Sequence, residues 1–465
     1  MKGRIHFIGI GGISMSGLAE IMHRDGYEVS GSDDVLTGIT EHLESLGIKV
    51  YSPNKAENIS DNIETIVYTA AVKPDNPEFI AAQEKGIELI ERAPFIGKIL
   101  HGYDPICIAG SHGKTTTTSM ISEVLLKAKL DPTISIGGHM NHGGMNYRVG
   151  NSKNFVLEAC EYSNSFHHFH PHVGIILNLD ADHLDFFGSM ENLIASFKKF
   201  ASNIRPEGAL IIHENTQGFD KITTDLKCKV ITFGLSKNAD FRAENIDYSR
   251  GKPSFDVSGG DLDKTARNTV NLPLPGEYNM LNALAGFAAA SYIGVSPEVI
   301  SQALSSIQGT KRRFEHKGTI GGVEIIDDYA HHPTEVRACL AAARQKVNQG
   351  KIICVFQPHT YTRTKNLLHE FAESFSDADK IILLPIYAAR EPFDPTISSE
   401  ILAKFMKMNG GDVISVENFV EAGNFINATM QPKDIVITMG AGDVFKVGEN
   451  LISQKLSTLS TVADE

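Results

Sequence analysis

The sequence predicts an α/β fold made of three consecutive sets of parallel strands and helices. Short β-branched runs alternate with helical stretches nearly throughout the 465 residues. Continuous apolar strands separated by helices are typical of parallel sheets that are covered on both faces. One joint falls near residue 103 and another at the basic stretch "GTKRRFEHKG". We therefore expect domains over residues 1–103, 104–312 and 313–465.

Apolar runs that predict strands occur in all three sets. In chain order they are RIHFIGI, TIVYTAA, ICIAG, NFVLEA, VGIILNL, GALIIH, VEIIDDY, KIICVF, KIILLP and DIVITMG. Residues 236–272 are polar and rich in Gly, Ser and Asp. That segment predicts irregular β structure rather than a continuation of the doubly wound sheet.

The composition excludes several functional classes. A net charge of −13 from 43 basic and 56 acidic side chains disfavours a nucleic-acid partner, which requires a basic surface. The chain shows neither a signal peptide nor an apolar run of membrane-spanning length, so we expect a cytoplasmic protein without a membrane partner. Five cysteines without CxxC spacing indicate small buried side chains in a reducing compartment: Cys107, Cys160, Cys228, Cys339 and Cys354.

The first glycine cluster, "FIGIGGISMSGLAE", lies between a predicted strand and a predicted helix. The next strand ends in "VSGSDD", so an acidic residue follows at the distance typical of a dinucleotide fingerprint. The sixth position is Ser14 rather than glycine, which leaves that fingerprint incomplete. Two ligands remain open from the residues alone: a nicotinamide cofactor, or another diphosphate-bearing ligand at the same helix terminus.

A second glycine turn, "GSHGKTT", lies between the strand of "ICIAG" and a helix predicted from about Lys114. Backbone N–H groups and a helix N-terminus favour an anion there. Lys114 has the reach to contact β- and γ-phosphates, and the Thr115 hydroxyl suits Mg²⁺. Two residues rather than four separate Gly110 and Gly113, so the spacing departs from the general phosphate-loop pattern. We predict that the turn binds phosphate.

Metal-ligand candidates follow two further predicted strands. Glu158 ends "FVLE", and "NLDADHLD" places Asp180, Asp182, His183 and Asp185 after the next strand. Carboxylate and imidazole near a phosphate suit Mg²⁺, and we favour Glu158 and His183 as ligands. For Asp182 and Asp185 we favour helix capping. The histidine run His167, His168, His170 and His172 suggests zinc, but Pro171 and the neighbouring aromatic residues favour a packed loop.

The last third carries two dense polar segments, each directly after an apolar strand. "IDDYAHHPTE" contains Asp327, Asp328, Tyr329, His331 and His332, which have the chemistry to cap the next helix while facing a crevice. "FQPHTYTRTK" places His359 and Arg363 in a similar position. Capping accounts for one or two of these residues, and their concentration predicts a binding or catalytic site.

Seven motifs in this order together resemble the Mur ligase family, over essentially the whole chain. They are GIGGISMSGLA, GSHGKTTTTSM, ILNLDADHLD, YNMLNALAG, KRRFE, DDYAHHPTE and QPHTYTRTK. The resemblance implies an N-terminal Rossmann-like domain that binds a UDP-sugar, a central P-loop ATPase α/β domain, and a C-terminal Rossmann-like domain. It favours UDP over a nicotinamide cofactor at the first glycine cluster.

The resemblance also implies roles for individual residues. The UDP-sugar would contact Gly9, Gly11, Gly12, Ser14, Ser32 and Asp33. ATP would contact Gly110, Ser111, His112, Gly113, Lys114, Thr115, Thr116, Asn282, Arg313 and Asp328. The metal ligands would be Thr115, Glu158 and His183, and the amino-acid contacts Tyr329, His331 and Arg363. The catalytic residues would be Lys114, His183, His331 and Arg363.

The implied activity is ATP-dependent joining of L-alanine to the lactyl carboxylate of UDP-N-acetylmuramate, through an acyl phosphate and with two Mg²⁺ ions. The enzyme would be a monomer or a homodimer. A related activity, which recycles cell-wall tripeptide onto the same sugar nucleotide, is the alternative. The base that deprotonates the amine stays open among His331, a bound water and the phosphate.

Two functions of other classes explain less of the sequence. An NAD-dependent dehydrogenase leaves "GSHGKTT" without a role, and a regulatory nucleotide switch leaves the polar third domain unexplained.

Three departures from the family pattern concern the site itself. "EACEYSNSF" replaces the more usual "EADESD", Thr360 stands where arginine is frequent, and Tyr278 stands where histidine is common.

Overall fold

The computed structural model of the chain describes residues 2–69, 71–137, 146–249, 251–263, 267–347 and 349–463. By their contacts these residues divide into two compact units. The first unit comprises Met1–Arg242, Gly259–Leu262 and Leu284–Ala303, and the second Ala243–Ser258, Asp263–Ala283 and Leu304–Glu465. Each unit is described by itself below.

The first sheet is parallel throughout and has the strand order β3–β2–β1–β4–β5. Its strands are β1 (Lys2–Ile8), β2 (Tyr27–Ser32), β3 (Lys49–Tyr51), β4 (Thr65–Tyr68) and β5 (Glu88–Glu91). The helices are α1 (Ile13–Arg24), α2 (Gly38–Ser45), α3 (Pro77–Glu84) and α4 (Arg92–Leu100), with a 3₁₀ turn at Ala56–Asn58. This is the Rossmann-like arrangement that the resemblance implied.

Eight neighbouring strands of the second sheet have the order β13–β12–β11–β10–β6–β9–β7–β8. Its strands are β6 (Asp104–Ala109), β7 (Thr133–Ser135), β8 (Tyr147–Arg148), β9 (Asn154–Glu158), β10 (Val173–Ile176), β11 (Ala209–His213), β12 (Lys229–Gly234) and β13 (Phe241–Asp247). The helices are α5 (Lys114–Lys127), α6 (Leu184–Phe187), α7 (Met190–Ser202) and α8 (Phe219–Thr223), with a 3₁₀ segment at Tyr162–His168. In this part of the sheet β8 runs antiparallel to β7, whereas β6, β9, β10 and β11 are mutually parallel.

Residues 236–272 are more regular than the sequence predicted. β13 pairs in parallel with β12, and β14 (Ser254–Gly259) pairs with β15 (Asn268–Asn271) in antiparallel register. Alternate β14 side chains are buried, Phe255 and Val257 among them, and such period-2 burial stabilises a two-sided strand. Helices α9 (Glu277–Tyr292) and α10 (Pro297–Ser306) follow.

The third sheet has the order β16–β17–β21–β18–β19–β20, and β16 is its antiparallel edge strand. Its strands are β16 (Glu315–Ile320), β17 (Val323–Asp328), β18 (Ile352–Phe356), β19 (Lys380–Leu383), β20 (Val413–Ser415) and β21 (Ile435–Met439). The helices are α11 (Pro333–Lys346), α12 (Tyr361–Asn366), α13 (Leu368–Glu373), α14 (Ser399–Met408), α15 (Phe419–Thr429) and α16 (Phe445–Ala463).

All ten predicted strands are present, and their burial explains why they were predictable. Every residue of β10, β18 and β21 is buried, as expected where helices cover both faces of a parallel sheet.

The cysteines are all free and four are buried, but Cys160 is exposed, so the prediction was wrong for that residue. Within the described residues, no helix combines the length and apolarity needed to cross a bilayer.

Candidate active site

The turn from Gly110 to Gly113 connects β6 to α5 and has the geometry of an anion site. Gly110 has φ +139°, and a Cβ there would lie 3.1 Å from the Leu177 Cβ. Gly113 adopts φ +85° at the N-cap of α5 and supplies no capping side chain. The first N–H groups of α5 therefore remain available for an anion, whose charge the helix dipole favours.

The loop after β10 holds this turn in place. The His112 N–H donates to Asn178 Oδ1 at 2.9 Å, and the Asn178 side-chain amide donates to the His112 carbonyl at 3.1 Å. The Asp180 N–H donates to Ser111 Oγ at 2.9 Å, and the Asp180 carboxylate lies 3.1 Å from His112 Nε2. Because β10 is the parallel neighbour of β6, their carboxyl ends meet and allow this bracing. Asp180 therefore has a structural role.

Lys114, the first residue of α5, is paired with a residue that the sequence analysis did not single out. Its Nζ lies 2.9 Å from both carboxylate oxygens of Glu161 and also donates to the carbonyls of Gly110 and Ser111. Burial alone would lower the pKa of Lys114, but the charge and hydrogen bond of Glu161, together with the nearby Cys160 and Glu158, outweigh burial and raise the pKa above its ordinary value. Lys114 is therefore a cation held beside the turn.

The three candidate metal ligands lie at the ends of elements of the second sheet. Thr115 is in the first turn of α5 and almost buried, and Glu158 ends β9, where its carboxylate accepts the Gly137 N–H at 2.7 Å. His183 precedes α6 with φ +56°, and its Nε2 lies 3.6 Å from Asp182 Oδ2. The Thr115 hydroxyl and the Glu158 carboxylate are oxygen donors, which Mg²⁺ prefers, and the His183 imidazole is the third candidate ligand.

The capping prediction for Asp182 was wrong, since His183 occupies the N-cap position of α6. Asp182 instead accepts the His183 N–H at 2.9 Å. The side chain of Asp185 lies outside the described part of the structure.

Next to His183 is an aromatic pair that the sequence analysis missed. Tyr162 lies 5.0 Å from the His183 ring and 5.7 Å from Phe186, and both Tyr162 and Phe186 are exposed.

The histidine run binds separate partners, as a packed loop would. The His167 Nε2 lies 3.0 Å from the Ser196 carbonyl, and burial lowers the pKa of His167. His170 stacks on His101 at 5.6 Å, and His172 contacts the Tyr292 ring at 5.9 Å. Within the described ranges, these histidines form no group of three ligands close enough to share an ion.

At the carboxyl edge of the first sheet, the first glycine cluster closes around Asp33. Gly9 has φ +81°, and the Gly11 N–H donates to Asp33 Oδ2 at 2.9 Å. Gly12 is the N-cap of α1 and contributes no side-chain cap, so this helix terminus also suits a phosphate. A cavity of about 440 Å³ opens beside Gly9 and Asp33, a volume within the range of small-molecule sites.

Two predicted UDP contacts are already engaged by protein groups. Ser14 accepts a hydrogen bond from Arg92 at 3.1 Å. Ser32 is fully buried and donates to the Glu78 carboxylate. Glu78 also accepts from Asn58 at 2.6 Å and lies 3.6 Å from His6, and these contacts outweigh burial and lower its pKa. Ser32 therefore belongs to a buried network below the edge of the sheet.

In the second unit, Asp328 organises the carboxyl end of β17. Its two oxygens accept the N–H groups of Phe314 and Ala330, both at 2.7 Å. Burial nevertheless raises the pKa of Asp328 to about 6. The guanidinium of Arg313 lies over the Tyr329 ring at 5.1 Å, so Arg313, Asp328 and Tyr329 are neighbours.

The three predicted amino-acid contacts come together around His359. The rings of His331 and His359 meet at 5.8 Å, and Arg363 Nη1 lies 3.2 Å from His359 Nδ1. His331 Nδ1 lies 2.9 Å from the Tyr329 carbonyl. Burial, followed by the Arg363 charge, lowers the pKa of His359, so its ring is neutral and accepts from Arg363.

Other residues of these segments have structural roles. His332, rather than Asp327 or Asp328, caps α11 in a capping box with Glu335. Asp327 instead binds Thr438 at 2.6 Å and Arg312 at 3.1 Å.

Three further residues of the second unit lie on α9 or cap α12. Thr360 has φ +65° and caps α12 by accepting the Arg363 N–H at 3.3 Å, so it fixes the start of the helix that carries Arg363. Asn282 is buried on α9. On the same helix, burial and the Asp328 charge raise the pKa of Tyr278 well above its ordinary value.

The loop after β21 is a further feature that sequence reasoning missed. The Gly440 N–H donates to the Asp328 carbonyl at 3.1 Å, and its own carbonyl accepts from Arg312 at 2.6 Å. A Cβ on Gly442 would lie 2.5 Å from Gln357 Oε1. The signal was present in the sequence, because "MGAGD" places glycines directly after an apolar strand.

Three family models match consecutive parts of the chain. Residues 4–104 match the Mur ligase family catalytic domain, residues 108–290 the Mur ligase middle domain, and residues 312–442 the Mur ligase glutamate ligase domain. The chain belongs to the Mur ligase family. A UDP-N-acetylmuramate–L-alanine ligase of Acetivibrio thermocellus is 47% identical over 97% of the chain and 96% of the relative. One of Clostridium novyi is 44% identical over 97% and 98%.

The fold agrees with solved structures of this family. The crystal structure of UDP-N-acetylmuramate–alanine ligase from Thermotoga maritima matches with a TM-score of 0.79 and 28% identity, over 98% of this chain and 99% of that one. A murein peptide ligase from Psychrobacter arcticus matches with a TM-score of 0.69 at 24% identity, over 97% and 98%, and so supports the fold alone. The predicted three-domain α/β architecture is confirmed.

Proposed function

We propose that this Mur ligase family member joins L-alanine to the lactyl carboxylate of UDP-N-acetylmuramate at the expense of ATP, in peptidoglycan precursor synthesis. The phosphate turn with Lys114 carries the proposal, because it offers backbone N–H groups, a helix terminus and a cation in one place. Relatives named UDP-N-acetylmuramate–L-alanine ligase, at 44–47% identity over 97% of the chain, support the choice of substrates.

The proposed first step moves the γ-phosphoryl group of ATP to the lactyl carboxylate and forms an acyl phosphate. Positioning and charge stabilisation account for most of the catalysis in such transfers. Lys114 would neutralise charge on the moving group, and the N–H groups at the start of α5 would hold the phosphates. The amine of L-alanine then attacks the acyl carbon, and the tetrahedral intermediate expels phosphate.

Thr115, Glu158 and His183 would hold Mg²⁺, which neutralises phosphate charge when bound. The number of ions, for which the sequence analysis expects two, remains a prediction.

His331 is our candidate for the base that accepts the amine proton. The Tyr329 carbonyl is an acceptor only, so the 2.9 Å contact places a proton on His331 Nδ1. In the neutral ring Nε2 then carries the lone pair that a base needs. Arg363, next to His359 in the same cluster, would bind the carboxylate of the amino acid.

The decisive experiment measures phosphate release from ATP and Mg²⁺ with UDP-N-acetylmuramate, with or without L-alanine. Parallel reactions contain glycine, L-serine or cell-wall tripeptide. We expect release only when both the sugar nucleotide and L-alanine are present. Release only with the tripeptide would favour the recycling ligase. If no amine leads to phosphate release, both proposals are contradicted. We further propose that the enzyme is cytoplasmic and is a monomer or a homodimer.

A further inference from the structure

All the hydrogen-bonding capacity of the Lys114 ammonium is already in use within the protein. An ammonium has three N–H donors. Lys114 Nζ has four acceptors around it: both Glu161 oxygens at 2.9 Å, the Ser111 carbonyl at 3.2 Å and the Gly110 carbonyl. A phosphate oxygen that binds Lys114 must therefore displace at least one of these partners.

Glu161 depends on this contact more than the lysine does. The Glu161 side chain is 2% exposed and that of Lys114 is 16% exposed. No second cation pairs with Glu161 among the residues that the structure describes. A buried carboxylate without a partner lowers the stability of a protein by several kcal/mol in general. Separation of Glu161 from the Lys114 ammonium is therefore unfavourable.

The backbone on the Glu161 side of the pair is fixed independently of Lys114. Two consecutive residues after it, Ser163 and Asn164, adopt positive φ values of +55° and +56°. The Asn164 N–H donates to the Glu161 carbonyl at 2.9 Å, and Asn164 Oδ1 accepts from Ser196 on α7 at 2.6 Å. The backbone at Glu161 is therefore held in place by these hydrogen bonds. The Lys114 side chain has four rotatable bonds, so we expect Lys114 rather than Glu161 to move when the pair separates.

We propose that Glu161 is a positioning residue that holds Lys114 withdrawn from the phosphate position, and that the β- and γ-phosphates of a nucleotide draw Lys114 away from it. The inference rests on the proposed function, because it takes ATP as the ligand of the turn. Withdrawal lowers the fraction of protein competent to bind the terminal phosphates, and so weakens apparent ATP affinity. In return, the ammonium stays beside the turn instead of being free in solvent.

The test compares the dissociation constants of AMP, ADP and ATP, measured by calorimetry without Mg²⁺, for the native chain and two variants. Glu161→Gln removes the charge, and Glu161→Asp keeps it but shortens its reach. We expect both variants to bind ADP and ATP at least about threefold more tightly, with AMP unchanged. Glu123→Gln, farther along α5, is the matched control and changes none of the three constants.

Each other result overturns the proposal in a recognisable way. Tighter binding by the Gln variant alone would mean simple charge repulsion, because the Asp variant keeps the charge. An equal gain for AMP would remove the link to the terminal phosphates, and unchanged ADP and ATP constants would remove the withdrawal itself. A native chain that binds none of the nucleotides would instead contradict the proposed function. Retained UDP-sugar binding shows that each variant is folded.

Discussion

Arg363 shows at the residue scale how one contact links two neighbouring groups. Its guanidinium lies 3.2 Å from His359 Nδ1. Burial is the larger cause that lowers the pKa of the His359 ring, and the Arg363 charge is the second. We predict that Arg363→Ala raises the KM for L-alanine at least about tenfold, since a charged hydrogen bond contributes 1.5–3 kcal/mol. The KM for ATP should change little. Steady-state kinetics measure both constants.

The matched control is Arg337→Ala, which removes an exposed guanidinium from α11. It should leave both KM values unchanged. Equal increases in the two KM values of the Arg363 variant would place Arg363 away from the amino acid. In the same variant, the His359 pKa should rise, because a cation near the ring has gone, and NMR titration of the histidine rings measures that shift.

Asp328 predicts how stability depends on pH. Burial raises its folded-state pKa to about 6, above the ordinary value of 3.8, so the folded state binds the proton more tightly. Its contribution is therefore present at low pH and is lost as pH rises through about 6. From pH 7.5 to pH 5, the native chain should gain about 1.4 kcal/mol relative to Asp328→Asn.

Urea denaturation at the two pH values measures this difference for the second unit. Asp443→Asn is the control, because that carboxylate is half-exposed. A native-minus-variant difference that is the same at pH 5 and pH 7.5 would show that Asp328 does not titrate in this interval.

At the scale of elements, the sequence predicts what is continuous and misses what is short or distant. The strands that contribute to the cores are uninterrupted apolar runs, and such runs suffice to predict β10, β18 and β21. Strands β3, β7 and β8 have only two or three residues, too few for a pattern. Their place in the sheets depends on neighbours that only the folded chain supplies.

The candidate site divides in the same way. Lys114 and Thr115 follow a glycine turn that is visible in seven consecutive residues, whereas the partner of Lys114, Glu161, is 47 positions away. Ser32 was predicted to contact a ligand because it ends a strand, but a buried carboxylate, Glu78, engages its hydroxyl. Local chemistry was therefore predictable, and pairing across elements was not.

The phosphate turn, as an element, depends on Gly110. A Cβ at this position would lie 3.1 Å from Leu177 Cβ and 3.3 Å from the Asn178 N, at a φ of +139° that side chains rarely adopt. Gly110→Ala should destabilise the first unit by about 1–3 kcal/mol and weaken ATP binding. Gly102→Ala is the control, since its nearest neighbour would be at an ordinary 3.6 Å. Equal stability of the two variants would contradict the strain argument.

At the scale of the whole molecule, each of the three sheets places polar groups at the carboxyl ends of its parallel strands. Asp33 follows β2, the phosphate turn follows β6, and Asp328 ends β17. Ligands of open α/β sheets bind at these ends. We therefore expect a reaction with three substrates to use one sheet edge for each group of contacts, and the domain boundaries predicted near residues 103 and 312 fall between the sheets in the sequence.

This separation predicts that phosphate chemistry and sugar-nucleotide binding can be uncoupled. Lys114→Ala should lower kcat by at least about 10²- to 10³-fold, the usual effect of losing one well-placed charge. The Kd for UDP-N-acetylmuramate should stay within about twofold, because the first sheet supplies the proposed site for it.

Lys114→Ala also leaves the Glu161 carboxylate buried without its partner, which destabilises the fold by about 3–5 kcal/mol. Lys114→Ala combined with Glu161→Gln avoids this loss and should show the same separation. Normal turnover in either variant would remove the phosphate turn from the mechanism. Loss of sugar-nucleotide binding in the folded double variant would show that the two sheet edges do not bind independently.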